Sequence, residues 1–146
     1  MHKVAVGWDP NAGAAKDRLV VFLRGLGYQV TDMGGEDPIY ANAAIKTAQA
    51  VAKGECDRGI LLCGTGIGMA ISANKVKGAY AALVSDVYSA KRARLSNDAN
   101  IACFGVFTLG EKHIEELAQA FLTSEYEPGG PSQAKIDRFR EYEQGR

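Results

Sequence analysis

Short apolar segments alternate along the chain with longer amphipathic ones. Five short segments, most of them apolar, are bounded by turn residues, which is typical of strands; they are Lys3–Trp8, Tyr28–Asp32, Arg58–Cys63, Ala79–Val84 and Ala99–Phe104. The segments between and after them have helical spacing or composition; they are Ala14–Leu26, Tyr40–Lys53, Ile67–Lys75, Val87–Leu95, Glu111–Leu122 and a polar Ser132–Glu143. The alternation predicts an α/β fold: a three-layer, Rossmann-like domain whose five-stranded parallel sheet has the order 2-1-3-4-5 and helices on both faces.

The domain organisation is simple. A length of 146 residues suits one domain, and we find no internal repeat and no linker before Pro128-Gly-Gly-Pro131. We therefore predict a single domain over residues 1–146, with residues 131–146 forming its C-terminal helix.

Topology and composition indicate the same site. Open parallel sheets bind ligands beyond the carboxyl ends of their strands where the strand order reverses, which here lies between strands 1 and 3. The loop after strand 1 begins with Asp9, and the loop after strand 3 contains Gly64, Gly66 and Gly68. Glycines let the backbone approach a ligand and let N–H groups converge on an anion, and a helix starting near Ile67 adds its positive end. We expect an anionic ligand in this crevice.

A dinucleotide is a weaker alternative for the same glycines. The dinucleotide fingerprint is G-x-G-x-x-G opening the first helix, with an acid about twenty residues further on. Here the spacing is G-x-G-x-G and follows the third strand, although Asp86 lies near the expected distance.

Cys63 stands at the edge of the glycine turn. A free cysteine is commonly a small buried apolar residue, and we interpret Cys56 and Cys103 in that way. A thiol at a helix N-terminus has its thiolate favoured, so Cys63 could be a nucleophile or a proton shuttle. A nucleophilic cysteine needs a histidine partner, but His2 begins strand 1 at the opposite end and His113 lies in a surface helix. A general base that works without histidine is the better interpretation.

Charge and targeting signals exclude several partners. The chain has 17 basic and 17 acidic residues, which argues against nucleic-acid binding and against an anionic membrane surface. It contains no 18-residue apolar run, and its N-terminus reads as a strand, so we expect a cytoplasmic protein without disulfides. The spacings of its cysteines and histidines fit no zinc site, and nothing indicates a metal or another cofactor.

The block Cys63-Gly-Thr-Gly-Ile-Gly68, followed by Ala73-Asn-Lys75, resembles the family of type B ribose-5-phosphate isomerases and galactose-6-phosphate isomerases. The likeness covers nearly the whole chain, and further matching segments are Val4–Asp9, Tyr40, Tyr88–Ala90, Ser96–Asn100 and Glu125–Glu127. The resemblance implies metal-independent aldose–ketose isomerisation of a sugar phosphate through a cis-enediolate. One branch of the family carries a glutamate at the position of Met69, so methionine there is typical of the cysteine branch.

The resemblance also implies roles for individual residues. Cys63 would be the base, and Asn97 would hold the oxyanion together with the amides of Gly64, Gly66 and Gly68. Hydroxyl groups of the substrate would be bound by Asp9, Tyr40 and Thr65; Thr65 read on its own is equally a plain turn residue. Relatives build each site from two subunits, so we predict a homodimer, or a tetramer, in which Asn97 faces the Cys63 of a neighbour.

The chain departs from the family pattern in four respects, the last of which involves two positions. The Asp-His pair after strand 1 is Asp9-Pro10, and the histidine that opens the furanose ring is Ser96. An arginine after strand 5 falls at Phe107, and two arginines near the last helix fall at Pro131 and Lys135. Some of these groups contact phosphate in relatives.

The nearby cations offer a replacement. Lys135, Arg138 and Arg140 could bind the phosphate, although such a run is also typical of a solvated helix face.

Loss of the ring-opening histidine has a chemical meaning. A tetrose 4-phosphate cannot close a furanose through its phosphorylated oxygen, so its isomerase has no ring to open. Ser96 therefore favours an open-chain erythrose/erythrulose 4-phosphate over ribose/ribulose 5-phosphate, with a six-carbon sugar third, and it resembles the branch acting on erythrulose 4-phosphate. The alternative is a non-catalytic sugar-phosphate-binding subunit of a hetero-oligomeric isomerase, against which the retained Cys63 argues.

Overall fold

The computed structural model describes residues 2–146. Its strands are β1 Lys3–Trp8, β2 Gln29–Asp32, β3 Arg58–Cys63, β4 Ala81–Leu83 and β5 Ile101–Gly105. Its α-helices are α1 Gly13–Gly25, α2 Tyr40–Ala52, α3 Ile67–Ala73, α4 Val87–Leu95, α5 Glu111–Leu122 and α6 Gln133–Glu143, and a short 3-10 turn covers Pro10–Ala12. The predicted bounds of β1, β3, α4 and α5 are confirmed, while β4 is shorter than predicted.

The five strands form one parallel sheet in the order β2-β1-β3-β5-β4. The α/β fold is confirmed, but the predicted order 2-1-3-4-5 is wrong for the last two strands. Every residue of β5 is buried, whereas β4 is partly exposed along its three residues. A strand that is buried on both faces takes an interior position, and the short exposed strand takes the edge.

Helices cover both faces of the sheet. One face packs on α1, α4 and α5, with a core that includes Leu23, Phe104 and Leu117. The other face packs on α2 and α3, with a smaller core that includes Leu61 and Met69. Successive strand residues point to opposite faces, which places Cys63 and Cys103 together on the α2–α3 side.

The C-terminal helix α6 lies beside the β4 edge. Ile136 is fully buried there, and the Tyr80 hydroxyl donates to a Glu143 carboxylate oxygen at 2.6 Å. Burial, reinforced by the Glu143 carboxylate, raises the pKa of Tyr80 to about 12, so this hydrogen bond persists across the physiological pH range. Arg140 from the same helix binds Asp98, which ties α6 to the loop after α4. None of the helices within residues 2–146 combines the length and apolar character needed to cross a lipid bilayer.

Candidate active site

A crevice lies at the carboxyl ends of β1 and β3, where the topology predicts it. It encloses about 240 Å³, and the residues that line it are Asp9, Asn11, Tyr40, Cys63, Gly64, Thr65, Gly68 and Phe107. Asp9 is fixed by its backbone: its N–H donates to the Leu62 carbonyl at 2.9 Å, and its carboxylate accepts the Asn11 N–H at 2.8 Å. The Asp9 side chain thereby caps the 3-10 turn beside the crevice.

Cys63 is the last residue of β3 and is 5% exposed. Its Sγ accepts a hydrogen bond from the backbone N–H of Gly66 at 3.0 Å. Gly66 has a left-handed conformation, with φ at +80°, which a residue with a side chain rarely adopts. The glycine thus allows a turn tight enough to direct its N–H at the sulfur, and such a donor stabilises a negative charge on that atom.

Two further backbone donors lie beside the sulfur. The N–H groups of Gly64 and Thr65 donate to no acceptor within residues 2–146. The adjacent helix α3 begins at Ile67, so the positive end of its dipole faces the same turn. The arrangement can hold an oxygen that becomes negatively charged next to Cys63.

The glycines also make room for aromatic side chains. A Cβ on Gly64 would lie 2.7 Å from Cδ2 of Phe107, and one on Gly68 would lie 2.1 Å from the hydroxyl oxygen of Tyr40. The sequence indicated close approach by a ligand, and the structure adds close approach by these two rings. Phe107 and Tyr40 therefore form walls of the crevice.

The three cysteines have different surroundings. Complete burial raises the pKa of Cys103 far above its usual range, and a charge on Cys63 would raise it further. Burial also raises the pKa of Cys56. Both remain neutral thiols in the core on the α2–α3 side, in agreement with their interpretation as apolar residues.

The other predicted site residues lie elsewhere in the subunit. Asn97 is exposed at the end of α4, and its amide donates to the Arg92 carbonyl at 3.3 Å. It lines a larger cavity of about 540 Å³ beside α6. Ser96 accepts a hydrogen bond from Nε of Arg92, and Lys135 and Arg138 are exposed on α6. The structure thus gathers Asp9, Tyr40, Cys63, Thr65 and the three glycines, but not these four.

The loop that carries Ser96 and Asn97 is firmly held. Asp98 has φ at +49°, a conformation that costs free energy for a residue with a side chain. Its carboxylate accepts from Arg94 Nη1 at 2.9 Å and from Arg140. Arg94 is 3% exposed and also donates to the carbonyls of Ala99 and Ser124. These contacts compensate for the strained backbone and fix the direction of the loop.

Two crevice residues were not assigned to the site from sequence. Asn11 lies three residues after the end of β1, and Phe107 two residues after the end of β5. Their position just beyond strand ends was the signal that could have found them. Asp86, the acid weighed for a dinucleotide, instead caps α4 by accepting the Ser89 N–H at 2.7 Å.

The histidines and possible metal ligands stand apart from the crevice. Nε2 of His2 lies 2.7 Å from a carboxylate oxygen of Glu125 near the start of β1, and His113 is exposed on α5. In the part of the chain from residue 2 onward, no three His, Cys, Asp or Glu side chains gather as a metal site would require. The crevice itself presents the Cys63 thiol, the neighbouring amides, and hydroxyl and carboxylate groups.

The chain is similar to several known isomerases. The D-erythrulose-4-phosphate isomerase of Pectobacterium atrosepticum is 43% identical over 98% of this chain and 96% of its own. Ribose-5-P isomerase B of Listeria innocua is also 43% identical, over 97% of each chain. The structure of Clostridium thermocellum ribose-5-phosphate isomerase B superposes with a TM-score of 0.92 at 36% identity, covering 98% of both chains. The profile of the Ribose/Galactose Isomerase family matches residues 4–139, and the chain belongs to that family.

Proposed function

We propose that this chain interconverts an aldose phosphate and a ketose phosphate through a cis-enediolate, with Cys63 as the base. The observation that carries the proposal is the backbone N–H of Gly66, 3.0 Å from the Cys63 sulfur, with the unused N–H groups of Gly64 and Thr65 beside it. A base and oxyanion donors at one point are what proton transfer next to a carbonyl requires.

The reaction moves one hydrogen between two adjacent carbons. The Cys63 thiolate takes the proton from C2 of the aldose, and the electron pair of that C–H bond forms the C1–C2 double bond of the enediolate. The carbonyl oxygen becomes an oxyanion, which the Gly64 and Thr65 N–H groups bind. The thiol then returns the proton to C1 while a hydroxyl proton passes between the two oxygens. The substrate is oxidised at C2 and reduced at C1, so no cofactor is consumed.

Hydroxyl recognition falls to the remaining polar groups of the crevice. The Asp9 carboxylate has a free oxygen beyond its cap contact, and the hydroxyls of Tyr40 and Thr65 can donate or accept. We assign these three residues to hydroxyl groups of the open-chain sugar, which they would hold for proton transfer.

An unpartnered apolar surface supports a two-subunit site. We define it by the exposed large apolar residues of α3, β4 and α4, which are Ile67, Ile71, Leu83, Val87, Tyr88 and Leu95. Exposed apolar patches beside an edge strand commonly mark interfaces. We propose that a second copy of the chain covers this surface and that Asn97 enters the crevice of that copy.

Assembly is tested by light scattering with activity measured on the same fractions. Ile71→Asp should give inactive monomers, whereas Val21→Asp, on the outer side of α1 and even more exposed, should remain an active dimer. Full activity from a monomer would contradict the two-subunit site, and a tetramer would be compatible with it.

For the substrate, we favour an open-chain tetrose 4-phosphate over ribose 5-phosphate. The basis for this preference is Ser96, which stands where relatives have the ring-opening histidine. Identity alone does not decide between the two, since the erythrulose-4-phosphate and ribose-5-phosphate relatives are each 43% identical.

A panel of tetrose, pentose and hexose phosphates, given to the purified chain alone, tests the function. We expect the highest kcat/KM with erythrose or erythrulose 4-phosphate, in an enzyme that acts as a single cytoplasmic domain. Inactivity of the pure chain with activity only after a homologous subunit is added would instead favour a non-catalytic sugar-phosphate-binding partner.

A further inference from the structure

The crevice lacks a partner for the phosphate of the proposed substrate. No lysine or arginine is among the residues that line it, and the Asp9 carboxylate adds a negative charge. A phosphate dianion is rarely bound without a charge-assisted donor. The cation must therefore come from outside this half of the site.

The cations considered from sequence are poorly placed for this task. Arg140 is bound to Asp98 and holds the loop after α4. Arg138 donates to the carbonyl of Arg146 at 3.0 Å and lies 3.8 Å from Glu141. Lys135 is exposed on α6 and lines neither the crevice nor the groove described next.

Arg92 is free to bind an anion. This half-buried residue of α4 donates from Nε to the Ser96 hydroxyl at 2.6 Å. Its two terminal nitrogens donate to no acceptor within residues 2–146, and no carboxylate there lies within 4.0 Å of it. A guanidinium held at Nε, with its outer nitrogens open, can bind a phosphate through two parallel hydrogen bonds.

The surroundings of Arg92 form a groove of about 250 Å³ between α4 and the start of α6. Pro131 and Ser132 line this groove, and α6 begins at the next residue, so its positive end faces the groove. Pro131 occupies the position of one of the two arginines of relatives. Arg92 therefore places a guanidinium in the groove where this chain has Pro131 in place of an arginine.

Two carboxylates also line the groove. Glu125 is already compensated, since it pairs with His2, Arg58 and Arg94. Glu127 is exposed, and both of its oxygens are more than 4.0 Å from the nitrogens of Arg92. Neither carboxylate neutralises the guanidinium.

We infer that Arg92 binds the substrate phosphate across the subunit interface and thereby selects for phosphorylated sugars. This inference rests on the proposed isomerase and its two-subunit site. Arg92 is hydrogen-bonded to Ser96, the neighbour of the Asn97 that we propose enters the partner's crevice, so Arg92 and Ser96 would enter it together. The Arg92 guanidinium would then lie near the end of the bound sugar that carries the phosphate.

Charge removal with matched controls tests the role of Arg92. Arg92→Gln keeps a donor for Ser96, and the Asn97 amide still bonds the main-chain carbonyl of residue 92, so the loop should keep its place. We expect kcat/KM for the sugar phosphate to fall about 10- to 100-fold, chiefly through KM. Arg92→Lys should recover part of the loss, and Lys53→Gln, an equal charge loss on an exposed residue far from the groove, should have no effect.

A readout without turnover separates this inference from the proposed function. Inorganic phosphate should bind to the wild type by calorimetry and bind about 10- to 100-fold more weakly to Arg92→Gln. If the wild type binds phosphate through Arg92 but isomerises no sugar, the proposed function fails and the assignment of the phosphate ligand stands. Equal phosphate binding by the wild type and Arg92→Gln, or none by the wild type, would overturn the inference.

Subunit mixing tests whether Arg92 acts in the partner's crevice. After exchange, Cys63→Ala and Arg92→Gln chains should form mixed dimers in which one of the two sites has both residues intact. Random pairing predicts recovery to about one quarter of the wild-type rate. No recovery in mixed dimers would show that Arg92 serves the crevice of its own subunit and would overturn the interfacial assignment.

Discussion

The turn after β3 and the loop after α4 are both held rigidly, but only the turn meets its chemical partners within one chain. In the turn, a backbone N–H donates to Cys63, and Tyr40 and Phe107 pack against the glycines. In the loop, Arg94 and Arg140 hold a strained Asp98, while Asn97 is exposed. A strained loop with firm supports and an exposed Asn97 is compatible with the proposal that its side chains serve the crevice of a second subunit.

Replacing Cys63 should produce the largest effect of any single change, because the turn contains the proposed base. Cys63→Ala should lower kcat about 10²–10⁴-fold and leave the fold unchanged. Steady-state kinetics with the best substrate of the panel, together with circular dichroism, measure both.

The other cysteines provide the controls for that change. Cys56→Ala and Cys103→Ala should cost stability but little activity, because both are buried neutral thiols. A near-normal kcat in Cys63→Ala would contradict the proposed mechanism. The turn after β3 would then no longer differ from the loop after α4 by containing the base.

The turn after β3 could be predicted from the sequence, whereas the order of the last two strands could not, for physical reasons. The end of β3 and the position of Cys63 follow from a local apolar run and a local glycine turn, so both were predictable. The order of β4 and β5 depends on which strand is covered on both faces, a property of the assembled sheet.

Contacts between distant residues were the least predictable part. The packing of Tyr40 on Gly68 joins the first turns of α2 and α3, and the clamp of Arg94 and Arg140 on Asp98 joins α4 to α6. Sequence spacing contains no information about such pairs, so Arg92 and Phe107 gained their significance only from the structure.

Arg94 offers a way to loosen the loop while the turn stays intact. Arg94→Met leaves the buried carbonyl of Ala99 without its donor and frees Asp98 on one side, so the free energy of unfolding should fall by about 1–3 kcal/mol. Urea titration measures the loss, and activity should fall because Asn97 is no longer held in place.

Arg24 supplies the matched control for this prediction. It also donates to a backbone carbonyl but is exposed, so Arg24→Met should change stability by less than about 0.5 kcal/mol. Equal losses of unfolding free energy in Arg94→Met and Arg24→Met would mean that the contacts of Arg94 with the Asp98 loop add no particular stability.

Gly68 allows the turn to be disturbed without touching the sulfur. A Cβ at this position would lie 2.1 Å from the Tyr40 hydroxyl, so Gly68→Ala should displace that side chain and raise KM several-fold with little change in kcat. In a Tyr40→Ala background the same change should add little, because the clashing group is gone and the two effects are not additive. Fully additive effects would show that Gly68 is needed for approach by the ligand rather than by Tyr40.

Substitution of Ser96 should give the smallest change in kcat/KM, and it tests what the loop after α4 contributes to the choice of substrate. If the enzyme evolved for open-chain sugars, Ser96→His should improve kcat/KM for ribose 5-phosphate by a few-fold and do little for erythrulose 4-phosphate, because histidine supplies a proton donor and acceptor near neutral pH. The gain should be modest, since the substitution also removes the hydroxyl that accepts from Arg92 Nε at 2.6 Å. Ser96→Ala separates the two contributions, because it removes the same hydroxyl and adds no imidazole. It should lower kcat/KM for both substrates by the same factor.

Faster turnover of ribose 5-phosphate by the wild type, with Ser96→His neutral or harmful, would mean that another residue opens the ring. The tetrose preference would then be wrong, while the turn around Cys63 would keep its proposed role.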